Sequence, residues 1–263
     1  MGEVIVITSG KGGVGKTTSS ANIGAALAAL NKSVVIIDAD IGLRNLDIVM
    51  GLENRIVYDL VDIVEGKCRV KQALVKDKRF ENLYLIAASQ SKTKDAVNPS
   101  QMIELCETLK ENFDFIIIDC PAGIEQGFEN AIAAANFAIV VANPEVSSVR
   151  DADTIVGKLS AAGIQKVMLV LNRLRPNLLK KEQMLSLDDV VEILAIDVLG
   201  IVPEDETIII STNRGEPAST QSDSRAGEAF RHIAQRILGE DIPMMDLEQK
   251  ENLFGKIKKI FGR

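Results

Sequence analysis

Gly10-Lys-Gly-Gly-Val-Gly-Lys-Thr-Thr18 is the stretch from which the rest of the chain can be read. Gly10, Gly15, Lys16 and Thr17 stand at the spacing Gly-x-x-x-x-Gly-Lys-Thr, the complete pattern of a phosphate-binding loop. A β-branched run, Val4–Thr8, precedes it, and a helical pattern, Thr17–Leu30, follows. That setting is the one the chemistry needs. Glycines let successive backbone N–H groups turn inward on phosphate oxygens, and the helix N-terminus adds its partial positive charge. Lys16 is placed to reach the β- and γ-phosphates of a nucleoside triphosphate, and the Thr17 hydroxyl to ligate Mg²⁺. The alternative, a glycine-rich turn without a ligand, leaves the complete motif and its setting unexplained.

Outward from the loop, short apolar runs recur at Val34–Asp38, Leu83–Ala87, Phe115–Asp119, Phe137–Ala142, Val167–Asn172 and Val198–Val202. They are nearly continuous rather than alternating, as expected of strands buried on both faces. Helical patterns lie between or after them, at Ser100–Glu111, Ser148–Ala162, Leu187–Leu194 and Ala226–Leu238. The predicted fold is α/β, a doubly wound, mostly parallel sheet flanked by helices, in one domain over residues 1–239. Residues 240–252 carry five acids against one base and contain Pro243, and read as an acidic linker. Residues 253–263 form a tail.

Asp38, Asp40 and Asp119 fall at or just beyond strand ends, where a parallel sheet faces its ligand crevice. Mg²⁺ takes oxygen ligands and keeps several waters, so one or two carboxylates suffice. Any one of these aspartates could instead cap a loop, and Asp38 stays open between the two roles. The single histidine, His232, lies far along the chain and is expected on the surface. Phosphoryl transfer here would rest on positioning and charge rather than on a histidine base.

In the tail, Leu253, Phe254, Ile257, Ile260 and Phe261 share one helical face, while Lys256, Lys258, Lys259 and Arg263 lie away from its centre. The pattern suits an interfacial membrane anchor; a helix docked on the protein's own core has the same spacing. No apolar run approaches the roughly 18 residues of a membrane span, and no leader pattern opens the chain, so membrane contact is expected to be peripheral. The net charge of −7 argues against a surface devoted to nucleic acid. Cys68, Cys106 and Cys120 fit no metal or CxxC spacing and read as reduced cytosolic thiols.

The second lysine of the loop, Lys11, is not part of the general motif. Lys11-Gly-Gly-Val-Gly-Lys-Thr17 resembles the deviant Walker A motif of the MinD/ParA family of P-loop ATPases. Gly42-Leu-Arg-Asn-Leu-Asp47, Ala88-Ser-Gln-Ser91 and Asn143-Pro-Glu-Val-Ser-Ser-Val-Arg-Asp151 extend the resemblance along essentially the whole chain, toward the members that place the bacterial division septum. The resemblance implies a slow ATPase, stimulated by partners and membrane, with ATP and Mg²⁺ as cofactors. Nucleotide would be held by Gly10, Lys11, Gly12, Gly13, Val14, Gly15, Lys16, Thr17 and Thr18, with Asn172, Arg173, Pro203 and Asp205 bordering the adenine. Catalysis would fall to Lys11, Lys16 and Asp40: Lys11 reaching the partner's phosphates across a nucleotide-sandwiched homodimer, Asp40 orienting the attacking water. The metal set would be Thr17, Asp40 and Asp119, and Gly123 would follow the γ-phosphate. Asp151 would lie near a partner surface. The tail would hold the protein peripherally on the cytoplasmic face of the membrane, through anionic lipid. There a MinC-like septum inhibitor would be recruited and a MinE-like or topological regulator would act. Nucleic acid is not expected as a partner; a ParA-type DNA-partitioning ATPase is the alternative, and it would show a basic dimer face.

Overall fold

The computed structural model describes residues 2–124 and 126–247. The last residues of the linker and the whole tail, 248–263, lie outside the described residues. The chain begins with β1 (Glu3–Thr8), α1 (Lys16–Ala29), β2 (Val34–Asp38) and three short helices, α2 (Leu46–Met50), α3 (Leu60–Val64) and α4 (Val70–Ala73). Next come β3 (Val75–Lys76), β4 (Leu83–Ile86), α5 (Pro99–Lys110), β5 (Phe115–Asp119), α6 (Gln126–Ile132), β6 (Phe137–Ala142) and α7 (Val146–Ala161). The chain continues through β7 (Lys166–Leu174), α8 (Pro176–Leu179), α9 (Leu187–Leu194), β8 (Asp197–Pro203), α10 (Thr207–Asn213) and α11 (Arg225–Ile237).

The eight strands make one sheet in the order β3-β4-β2-β5-β1-β6-β7-β8. Every neighbouring pair is parallel except β3 with β4, the two-residue edge strand that the sequence pattern does not announce. Side chains alternate across the pleat, so each central strand feeds two cores. Val4 and Val6 enter the core under α5, α6, α7 and α9; Ile5 and Ile7 enter the one under α1, α2 and α11. Helix periodicity matches. Val149, Ala152, Ile155 and Leu159 of α7 are buried, as are Phe230, Ile233 and Ile237 of α11. Each large aliphatic or aromatic chain buried this way contributes roughly 1.5–3 kcal/mol. Helix α1 has almost no exposed face. It packs on the sheet beside α11, and Asn22 within it accepts the Ser219 N–H at 2.7 Å.

β1 is the centre of the winding. From it the chain crosses to β2 on one side and later reaches β6 on the other, so a crevice opens above its C-terminal end. The phosphate loop leaves β1 at that point.

The described part of the acidic linker lies against the domain. Arg236 donates to the carbonyls of Ile242 (2.9 Å) and Pro243 (2.7 Å), and Arg225 to those of Asp246 (3.3 Å) and Leu247 (3.2 Å). Residues 242–247 thus run back along α11 from its end to its beginning. His232, expected on the surface, is half-buried on α11, and burial pushes its pKa down.

Candidate functional site

The loop is held open by two close approaches. Gly15 has φ 104°, a left-handed conformation that favours glycine, and a Cβ there would lie 2.3 Å from Asn172 Nδ2. Asn172 itself donates to the Val14 carbonyl at 2.8 Å. At the other end, a Cβ on Gly10 would lie 2.3 Å from the Asp151 carbonyl, so α7 presses on the start of the loop. Ser9 Oγ donates to the Lys11 carbonyl at 2.8 Å. Gly15 caps α1 without a side-chain acceptor, and no acid stands in the first turn. Its leading N–H groups and dipole are left for an anion.

The two lysines differ sharply in setting. Lys16 is buried at 8% exposure, near enough to Asp119 to favour its ionised form. Lys11 is exposed with Gly12 and Gly13, and among the described residues nothing pairs with its ammonium. Val14 turns into the core, and Thr17 and Thr18 are half-buried.

Asp38 and Asp119 are paired in register at the ends of β2 and β5, both 1% exposed. Asp38 accepts the N–H groups of Asp40 (3.0 Å) and Leu46 (3.2 Å), which closes the turn carrying Asp40. In the described chain its carboxylate braces that turn. Burial, and next the neighbouring Asp119 charge, push its pKa up to about 7. Burial pushes Asp119 up to about 6, against the lowering effect of the Thr17 and Ser20 hydroxyls and of Lys16. Asp40 is half-buried beside them. The donor set fits Mg²⁺: a threonine hydroxyl and strand-end carboxylates, all oxygen, with Asp119 held where burial alone disfavours its charge. Among the described residues no three acidic, histidine or cysteine side chains converge into a metal cage. A phosphate-bound Mg²⁺ needs none, because phosphate and water complete its shell.

The two segments expected at the adenine come together. β7 and β8 are neighbours, the Glu204 N–H donates to the Leu174 carbonyl at 2.9 Å, and Arg175 forms a two-pronged ion pair with Glu204. Arg173 is exposed with φ 56°. Pro203 is buried. Asp205 spends its carboxylate elsewhere, accepting from Thr207 N (2.9 Å), Ala226 N (3.0 Å) and Ser224 Oγ (3.1 Å), and so joins the starts of α10 and α11. That leaves its backbone, not its side chain, for a base. Two contacts are not foreseen from the sequence: Asn172 bracing the loop and Ser20 touching Asp119. The second had a signal, since Ser20 lies one helical turn beyond Thr17 in an alanine-rich helix.

Fold and crevice together define a P-loop ATPase. Residues 2–173 match the family model of an AAA domain. The septum site-determining protein MinD of Bacillus subtilis (strain 168) is 56% identical over 265 residues, covering 100% of this chain and 99% of that one. The MinC:MinD cell division protein complex of Aquifex aeolicus contains a chain matching with a TM-score of 0.87 and 47% identity, over 93% of this chain and 99% of that one. The septum site-determining protein MinD of Pyrococcus horikoshii OT3, complexed with Mg-ADP, matches with a TM-score of 0.82 and 30% identity, over 92% and 100%. The chain belongs to the septum site-determining MinD family. It is a cell-division ATPase that works with ATP and Mg²⁺.

Proposed function

We propose that this ATPase is a nucleotide-operated dimer switch that carries a septum inhibitor to the membrane and leaves when ATP is hydrolysed. The observation that carries the proposal is the contrast between its lysines. Lys16 is buried within its own site, and Lys11 is exposed at the rim, with no partner among the described residues. Lys16 neutralises the phosphates of the nucleotide bound in the same chain. Lys11 serves the nucleotide of the partner, where a positive charge counters the charge that builds during phosphoryl transfer, as an arginine finger does. The backbone from Gly10 to Thr18 cradles the phosphates. Asp40 orients the attacking water, on a turn fixed by Asp38. Thr17 and Asp119, with Asp40 alongside, would hold Mg²⁺, which would offset the phosphate charge. Asn172, Arg173, Pro203 and the backbone of Asp205 border the adenine.

The membrane half of the switch rests on the tail pattern and on magnitudes. Each buried large apolar side chain contributes at most roughly 1.5–3 kcal/mol. Each cation near anionic lipid adds about 1 kcal/mol. Ordering a helix costs roughly 1–2 kcal/mol per residue. One tail therefore binds marginally, whereas joining two in a dimer adds about 10²–10⁴ in avidity. ATP-driven dimerisation turns membrane binding on, and hydrolysis turns it off. The partner recruited there is a MinC-like inhibitor: a MinC:MinD complex is formed by a relative 47% identical to this chain. A regulator of hydrolysis acts on the same dimer. Among the described residues no helix is long and apolar enough to cross a membrane.

Co-sedimentation with anionic liposomes tests the switch. The full chain should bind with ATP and not with ADP. A truncation after Asn252, or Ile260→Glu in the middle of the apolar face, should abolish binding while ATP still dimerises the domain. Equal binding in ATP and ADP contradicts the switch, even with the tail as anchor.

A further inference from the structure

Ser20 sits on α1, three residues after Thr17, and is fully buried. Its Oγ is 2.8 Å from Asp119 Oδ1 and 3.0 Å from the Lys16 carbonyl. One hydroxyl carries one hydrogen, so it cannot serve both acceptors at once. A serine inside a helix commonly donates back to the carbonyl four residues earlier. Here that carbonyl already receives the helical N–H of Ser20, and the competing acceptor is an anion in a dry interior. Hydrogen bonds to a carboxylate are roughly twice as strong as neutral ones. The proton therefore goes to Asp119.

We infer that Ser20 is a positioning residue for Mg²⁺: it holds the Asp119 carboxylate in one rotation, with its second oxygen left for the metal shell beside Thr17. The neighbours limit the carboxylate's other choices. Asp119 ends a strand wedged between β1 and β2, its own carbonyl accepts the Ala39 N–H at 3.0 Å, and Asp38 stands beside it as a second anion. Without Ser20 the carboxylate loses the one fully buried side-chain donor found against it among the described residues. Ser20 does not touch nucleotide. It acts through Asp119, and the inference rests on the reading of Asp119 as part of the Mg²⁺ shell.

The test is equilibrium binding of a fluorescent ADP analogue to the full chain, with Mg²⁺ titrated from zero in an EDTA-buffered series. Four proteins are compared: the natural chain, Ser20→Ala, Asp119→Asn and the double variant. Ser20→Ala should raise the half-saturating Mg²⁺ concentration by about tenfold or more, the usual effect of removing a group that orients a metal ligand, while affinity without Mg²⁺ stays within about twofold. In the double variant Ser20→Ala should add nothing to Asp119→Asn. A Mg²⁺ midpoint for Ser20→Ala close to the natural one, while Asp119→Asn shifts it, overturns the inference and leaves the Asp119 assignment standing. A parallel loss of affinity without Mg²⁺ also overturns it, because that marks a general disturbance of the loop. A midpoint unmoved by Asp119→Asn overturns the metal assignment and the inference together.

Discussion

Asp38 and Asp119 carry the main electrostatic tension of the site. Each is buried, each has the other as a neighbour, and each holds its proton more tightly in the folded chain than the ordinary value of 3.8. A carboxyl whose pKa is raised by folding stabilises the fold when protonated. That advantage shrinks as pH climbs from near 3.8 through about 6 for Asp119 and about 7 for Asp38. Without nucleotide the protein should therefore lose stability between pH 5 and pH 8, on the order of a few kcal/mol, since a tenfold change in proton affinity is worth about 1.4 kcal/mol. Urea unfolding at a series of pH values measures it. Asp119→Asn should flatten the slope, and Mg²⁺ with ADP should restore stability at the alkaline end. A flat profile in the natural chain would mean that both carboxylates are better compensated than their burial implies.

At the scale of elements, the junction of α7 with the loop is an exacting contact. Gly10 leaves no room for a methyl group against the Asp151 carbonyl. Gly10→Ala should destabilise the protein by roughly 1–3 kcal/mol through overpacking and weaken nucleotide binding with it. Urea midpoints and analogue binding report both; unchanged values would show that α7 can retreat freely. This seam could not be read from the sequence, because nothing local to Gly10 says that residue 151 lies over it. The major elements could. The runs at Val34–Asp38, Phe115–Asp119 and Phe137–Ala142 match the strands residue for residue, because strands buried on both faces need unbroken apolar sequence. The short helices α2, α3, α4, α6, α8 and α10 left no periodic trace: four to seven residues span fewer than two turns and are held by their surroundings. In the site, the loop and the strand-end aspartates were legible as motif and position. The Asp205 carboxylate was not, because its partners at Thr207, Ser224 and Ala226 come from two later helices. The path of residues 242–247 was not legible either, because two arginines on α11 determine it.

The whole molecule joins these scales through one topological fact. β1 lies at the centre of the sheet, and its loop stands where the winding reverses, so every group proposed for the phosphates comes to one end of the sheet, with Lys11 exposed at its rim. A crevice at the rim can be completed by a second copy. Lys11 is the group that would do so, and the consequence is a change of mass with nucleotide. Multi-angle light scattering in ATP and Mg²⁺ is the most direct measurement. Asp40→Ala, which should slow turnover, is expected to run as a stable dimer with ATP and as a monomer with ADP. Adding Lys11→Ala should leave ATP bound and the mass monomeric. A dimer that persists without Lys11, or a natural chain whose mass is the same in ATP and ADP, would contradict the dimer switch.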